Sequence, residues 1–516
     1  MVRRILILTV ALVLQYASVV QAAEPDASPR GNTTAVLAKL KVDLELARTQ
    51  TAVPGMSVAI IHKGKLIFAE GFGKRNKKDP FTPETRSMLG SVTKAFTATA
   101  VAELVAEGKM DWDTTPVNTY LPEFETINPV LTSQLTMQDL LSHRTNFPSV
   151  DFNWFWSFGE SRLDLIKRYR HVEVKPKMLA LMNYDNALYG VAGEAAAKVA
   201  GEPIEQVVRN KVLRPLGLTN TGFSLPEMIK HPNYAAPFRA ETYADAKAGR
   251  FTALPLDDPP PNDVAAGDMY SSALDLANWG QAVMKGGMQN GKQVLSKDGI
   301  ESTLTAHTIA SPAERDPDFA LSVQYGMGWM LNSYKGNNVF EHGGRTPGYL
   351  TNLALFPNAD LVVAFLTNSD LTALPQSATY HIVDELLGLR KTKDWLKKAA
   401  DDTEQYLARD VMRRNGTFPE RIPNKPATHE LSAYAGEYDH PGFGTTTIRL
   451  EGGKLHITLA AFKGVLAHYH YDSFTTALEM STLRMGQLIT FSTGTDGKVS
   501  EISFTIMGTS VTGKKR

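Results

Sequence analysis

Ser91 and Lys94, in the run Ser87-Met-Leu-Gly-Ser-Val-Thr-Lys94, are the residues whose types and spacing best suit covalent chemistry. On a helix, a separation of three puts the hydroxyl and the amine on one face, one turn apart. Serine is a weak nucleophile until a neighbour takes its proton, and a lysine can take it only where its surroundings lower its pKa. A helix start adds free backbone N–H groups able to cradle a developing oxyanion. Ser-x-x-Lys is a common spacing, so its meaning depends on what accompanies it.

Tyr184 and Asn186 stand two apart in a polar turn before an alanine-rich helix, 191–200. In an extended segment such residues share a side, so both can face one cavity. His143 and His342, with Glu341 or Asp139 as orienter, offer the parts of a Ser-His-Asp triad, but the sequence holds no Gly-x-Ser-x-Gly elbow. His468 and His470 lie two apart on an expected strand without an evident third ligand, which favours a structural pair over a metal site. Asp268, Ser271, Ser272 and Asp275 read as helix caps. No metal or cofactor is expected.

These residues need elements to carry them. A helical period runs through Val36, Leu37, Leu40, Leu44 and Ala47, and two β-rich runs flank the turn at His62-Lys-Gly-Lys65 as a hairpin expected to be covered on both faces. The Ser91 helix continues through Phe96, Ala100, Val101, Leu104 and Val105, a stripe that buries it and holds the serine rigidly. Another helix opens after Thr136, an N-cap with Asp139 in the first turn. Phe152, Trp154, Phe155, Trp156 and Phe158 form an aromatic cluster suited to a pocket wall or a core contact, and 225–265 reads as a long lid or rim loop. Strands at 325–329, 338–345, 350–355 and 361–367 follow. The charged, proline-bearing stretch 396–427 reads as a linker. Short β runs at 436–438, 445–450, 454–459, 465–471 and 502–506 point to a small antiparallel β domain over 428–516.

With 516 residues, 43% of them hydrophobic, the chain can bury a large core in two or three domains. Lys+Arg and Asp+Glu both number 54, so no global field steers nucleic acid or an anionic membrane toward it. Arg3-Arg4, the apolar run Ile5 to Leu14 and the small-x-small site Val20-Gln21-Ala22 predict a signal peptide over 1–22, hence a secreted or periplasmic protein with no membrane span after signal removal. There is no cysteine, which excludes disulfides, cysteine nucleophiles and thiolate metal sites together. Asn32-Thr-Thr34 and Asn415-Gly-Thr417 are possible glycosylation sequons.

Taken together, Ser91-Val-Thr-Lys94, Tyr184-Asp-Asn186 and His342-Gly343-Gly344, in this order, resemble the three signature elements of the serine β-lactamase and penicillin-binding-protein superfamily, in particular its class C and esterase-like branch. Leu140-Leu-Ser-His143, Pro215-Leu-Gly-Leu218 and Tyr325-Gly-Met-Gly-Trp329 fit the same pattern, over roughly 33–395. The resemblance implies an α/β (α+β) fold, an antiparallel sheet flanked by helices plus an all-helical lobe. It implies acylation of Ser91, with Lys94 and Tyr184 sharing the general-base work and Tyr184 serving the deacylating water. Asn186 would hold Lys94 and the substrate amide, and the backbone N–H groups of Ser91 and Arg345 would form the oxyanion hole. The C-terminal region, with Leu466-Ala-His-Tyr-His-Tyr-Asp-Ser-Phe474, resembles a lipocalin-like β-barrel. His342 stands where the family often has lysine, and Gly343 where it has threonine or serine, which weakens the grip on a substrate carboxylate. The expected activity is therefore hydrolysis of an ester or a small amide or peptide. The alternative is a catalytically quiet extracellular binding or matrix component.

Overall fold

The computed structural model describes residues 33–516 except 146, 152–155, 158, 159, 175–180, 257–261, 263, 313–315, 320, 321, 481, 482 and 507. The signal stretch, the Asn32 sequon and most of the aromatic cluster lie outside these residues; Asn415 is exposed at the end of a helix.

An eight-stranded antiparallel sheet forms the backbone of the first domain. Its order is Thr308–Pro312, Ser322–Tyr325, Met330–Tyr334, Asn337–Thr346, Tyr349–Phe356, Leu361–Thr367, Gly55–His62 and Lys65–Gly73. The N-terminal hairpin thus closes onto the last strand of the C-terminal meander, Met56 opposite Thr367 and His62 opposite Leu361. Gly55–His62 is buried along almost its whole length, as its apolar run predicts, but Lys65–Gly73 is the sheet edge and stays half exposed. Coverage on both faces therefore holds for only one strand of the hairpin.

One face of the sheet packs on Thr33–Gln50, Leu374–Leu387 and Trp395–Asn415, with Val58, Ile60, Val363 and Phe365 pointing into that layer. The other face meets the helical lobe. Its central helix Thr93–Ala106 buries Lys94 through Ala102 without a break and Leu104 beyond, so this helix is core all round. Phe96 stacks on Trp279 with ring centroids 3.6 Å apart, and Trp279 stacks on Trp329 at 5.5 Å, which anchors the helix against Ala273–Met284.

Two expectations need correction. The stretch expected to be a linker carries the helix Trp395–Asn415, whose inward stripe is Trp395, Ala399, Thr403, Leu407 and Asp410. The stretch 225–265 is broken by the short helices Leu225–Met228 and Tyr243–Lys247 and by paired strands Phe238–Arg239 and Thr252–Ala253. Downstream, eight strands from Gly436–His440 to Thr509–Lys515 make a closed antiparallel barrel, sealed where Tyr438 pairs with Lys515. His468 and His470 flank a bulge in this barrel: His468 Nε2 meets Tyr471 O at 2.9 Å and His470 Nδ1 accepts from Ile422 N–H at 3.1 Å, so both serve structure. Among the described residues, no helix is long and apolar enough to cross a membrane.

Candidate active site

Ser91 sits in the 3₁₀ turn Gly90–Val92 that feeds the central helix. Gly90 has φ +53°, and a Cβ there would lie 2.4 Å from Arg345 N; a Cβ on Gly344 would lie 1.8 Å from Leu89 O and 2.9 Å from Ser91 N. Both positions must be glycine for the turn and the strand Asn337–Thr346 to meet. That contact brings the backbone amides of Ser91 and Arg345 together at the cavity wall. Gly343 differs: a Cβ there would touch only Thr351 O at 3.7 Å and Asn352 Oδ1 at 3.8 Å.

Lys94 is fully buried. Its Nζ donates to Ser91 Oγ at 3.2 Å, to Asn186 Oδ1 at 2.5 Å and to Ala266 O at 3.0 Å, and it lies over the Tyr184 ring, 4.8 Å from the centroid. The helix is kept close by Tyr325-Gly-Met-Gly-Trp329, since Gly328, with φ +84°, leaves room where a Cβ would come within 2.6 Å of Ala95 Cα. Ser91, Tyr184, His342, Gly343, Gly344 and Arg345 line one cavity of about 880 Å³. The geometry thus assembles Ser91, Lys94, Tyr184 and Asn186 around one amine, with the third element forming the facing wall.

His143 explains how Tyr184 and Asn186 arrive there. It follows the helix Met137–Leu141, which the reciprocal Thr136–Asp139 capping box starts, and adopts φ +56°, a conformation that non-glycine residues rarely hold. Its Nδ1 accepts from Asp185 N–H at 3.2 Å, its carbonyl accepts from Asn183 N–H at 3.0 Å, and its ring packs 4.4 Å from that of Tyr184. Burial, with Lys94 and His342 nearby, holds the imidazole well below its usual range. Asp139 is committed to Arg144 and to the cap, and Glu341 accepts from Tyr380 Oη at 2.7 Å. His342 is also spoken for: Nδ1 meets Gly343 O at 2.6 Å and Nε2 meets Tyr325 Oη at 3.2 Å. A tautomer with hydrogen on Nδ1 satisfies both contacts. Burial first and Lys94 second push its pKa down to about 3, so it is a neutral ring. The triad reading is therefore replaced: the two histidines hold the elements that carry Tyr184 and the third strand.

No spacing or motif pointed to Asp151. Its Oδ2 accepts from Asn186 Nδ2 at 2.7 Å and its Oδ1 from Ala187 N–H at 3.1 Å. Beside it, buried Asp185 caps the helix Asn186–Ala200, and burial together with the Asp151 charge pushes the Asp185 carboxyl well above the usual range. One N–H of the Asn186 amide is thus occupied by Asp151. Arg345 is half exposed and leans on Asp370 Oδ2 at 3.3 Å, which also pairs with buried Arg239. Ser272 caps its helix as expected, and Asp275 supports it by accepting from Asn220 N–H at 2.7 Å.

Among the described residues one group has metal-like grouping, Asp43, His381 and Glu385, on the outer helices. Lys39 binds both carboxylates and Lys391 binds Glu385, so the group is an ion-pair network.

The β-lactamase family model matches residues 39–387. The chain belongs to the β-lactamase family. A second model, a domain of unknown function called DUF3471, matches residues 420–515 and so takes in the barrel. Among characterised relatives, an unguisins hydrolase of Aspergillus campestris is 29% identical over 411 residues, 77% of this chain and 74% of that one. Penicillin-binding protein 4 of Amycolatopsis lactamdurans is 25% identical over 66% of this chain and 88% of its own. In fold, the chain is similar to the octameric penicillin-binding protein homologue from Pyrococcus abyssi, with TM-score 0.58 at 23% identity over 92% of this chain and 99% of that one. It is also similar to a D-stereospecific amidohydrolase from Streptomyces sp., with TM-score 0.53 at 22% identity over 68% of this chain and 98% of that one. The expected β-lactamase and penicillin-binding-protein relationship therefore holds, and with it the hydrolase character of the first domain.

Proposed function

We propose that this chain is an exported serine hydrolase that forms an acyl-enzyme on Ser91 and cleaves small amides, peptides or esters. The observation that carries the reading is Lys94 Nζ at 3.2 Å from Ser91 Oγ, with Ser91 lining a cavity large enough for a small peptide. In this scheme the Ser91 proton passes to the Lys94 and Tyr184 pair as Oγ bonds the acyl carbon. The leaving amine or alcohol takes that proton, and water, deprotonated at Tyr184, then releases the acid. The backbone amides of Ser91 and Arg345 hold the oxyanion, and Asn186 keeps the Lys94 amine on the serine.

Neutral His342 supports the choice of substrate class. Both ring nitrogens are engaged inside the protein, so His342 presents no cation to a substrate carboxylate. Among the names of the relatives, that of the D-stereospecific amidohydrolase favours amide over ester bonds. The basic and apolar stretch at the N-terminus favours export.

The test is intact-mass analysis of the mature protein after a fluorophosphonate and, separately, a penicillin, beside Ser91→Ala. An adduct present in the wild type and missing in Ser91→Ala supports the acyl-enzyme, and poor labelling by penicillin supports the substrate class. No adduct with either reagent on folded protein moves the reading to a catalytically quiet binding role.

A further inference from the structure

Asp151 follows a stretch, 147–150, without helix or strand, so its position must be imposed by what the segment touches. Two of its contacts reach the C-terminal barrel. Thr509 Oγ1, at the start of the strand Thr509–Lys515, donates to Ser149 O at 3.0 Å. Trp156 meets the barrel residue Phe462 edge-on, ring centroids 6.1 Å apart. Between these points, Val150 is buried. The segment carrying Asp151 is therefore tied to the barrel on both sides of the carboxylate.

From Asp151 the contacts run inward. Its carboxylate takes the Asn186 side-chain N–H, and the other end of that amide takes Lys94 Nζ, which reaches Ser91. An amide fixed at its nitrogen end cannot flip, so its oxygen must face the amine. Asp151 also receives the Ala187 N–H at the start of the helix Asn186–Ala200, where a negative charge is favourable.

We propose that the barrel is a working part of the serine site: Thr509 holds the backbone at Ser149, and Asp151, a positioning residue two positions on, locks Asn186 against Lys94. The proposal rests on the acyl-enzyme reading for its kinetic consequences and on hydrogen bonding alone for its structural ones.

Three full-length variants test it: Asp151→Ala, Asp151→Asn and Thr509→Val, compared with wild type and Ser91→Ala. Turnover of p-nitrophenyl acetate separates kcat from KM, and hydrogen–deuterium exchange reads the peptide spanning Asn186 and Ala187. Asp151→Ala is expected to lower kcat by roughly tenfold or more at unchanged KM, the scale of losing a buried hydrogen bond to a charged group. Asp151→Asn regains part of this, because its amide oxygen can still accept from Asn186. Thr509→Val, remote from the serine and able to fold without its hydroxyl, lowers kcat in the same sense and speeds exchange at the start of the helix. Wild-type kcat in Asp151→Ala or Thr509→Val, or a change confined to KM, overturns the proposal. If the wild type neither turns over nor labels on Ser91, the acyl-enzyme reading has failed instead, and exchange alone decides. Faster exchange in Thr509→Val upholds the link, and unchanged exchange overturns it.

Discussion

Gly343 and Gly344 are adjacent and chemically identical, yet the structure assigns them opposite tolerances. A methyl at position 344 would stand 1.8 Å from Leu89 O and 2.9 Å from Ser91 N, and the obstacle is backbone on both counts. To restore even the tightest normal contact, Leu89 O must withdraw from 1.8 Å to at least 3.0 Å, dragging the turn that holds Ser91 away from the strand that holds Arg345. A displacement of about 1 Å at reacting groups costs on the order of a hundredfold in rate, and losing one oxyanion donor costs roughly a hundred- to a thousandfold. Gly344→Ala is therefore expected to lower kcat/KM by at least about a hundredfold. At position 343 the same methyl meets atoms at 3.7 and 3.8 Å, ordinary contact distances, and Gly343→Ala should stay close to wild type. The assay is ester hydrolysis with fluorophosphonate labelling rates, alongside thermal unfolding to confirm that each variant is folded. Equal losses in the two variants, or full activity in Gly344→Ala, would refute the argument that this close approach builds the site.

Lys94→Met keeps length and apolar stem but removes the amine; rates should fall by about a hundred- to ten-thousandfold with the fold retained, and a loss under tenfold in the labelling assay rules out Lys94 as a base. His342 gives a pH prediction whose sign follows from its depressed pKa of about 3 against an unfolded value of 6.5. Below 6.5 the unfolded chain binds a proton that the folded chain refuses, so this contribution is complete above that pH and is lost as pH falls toward 3. The slope is about 1.4 kcal/mol per pH unit. His143 acts in the same direction, so His342→Gln should flatten the acid limb of a urea-unfolding stability curve without abolishing it, and an unchanged limb contradicts the burial argument.

What the sequence made legible was chemistry carried by short spacing. Ser91 and Lys94 lie one helical turn apart, so backbone geometry alone dictates that they meet, and the strands around His342 and Leu361–Thr367 declare themselves by apolar runs that a buried sheet requires. The helix Trp395–Asn415 was hidden because its inward stripe includes Thr403 and Asp410, polar residues whose needs are met internally: Thr403 Oγ1 donates to Ala399 O at 2.6 Å and Asp410 accepts from Arg413 at 2.6 Å. The last barrel strand, Thr509–Lys515, turns Thr509, Val511 and Gly513 inward, so its alternation is one of small residues and gives little hydrophobic signal.

Asp151 was illegible for a deeper reason. Its partner Asn186 lies 35 positions away, and no periodicity connects the two. What places Asp151 beside Asn186 is packing among three parts distant in sequence: the His143 corner, which fixes the Tyr184–Asn186 segment, the capped helix behind it, and the barrel, whose Thr509 is 360 positions from Ser149. A residue whose role depends on three parts meeting leaves no trace in any one of them. The residues a sequence shows are those that touch the reacting bond through local geometry, and the residues that hold them in register emerge only when the parts are assembled.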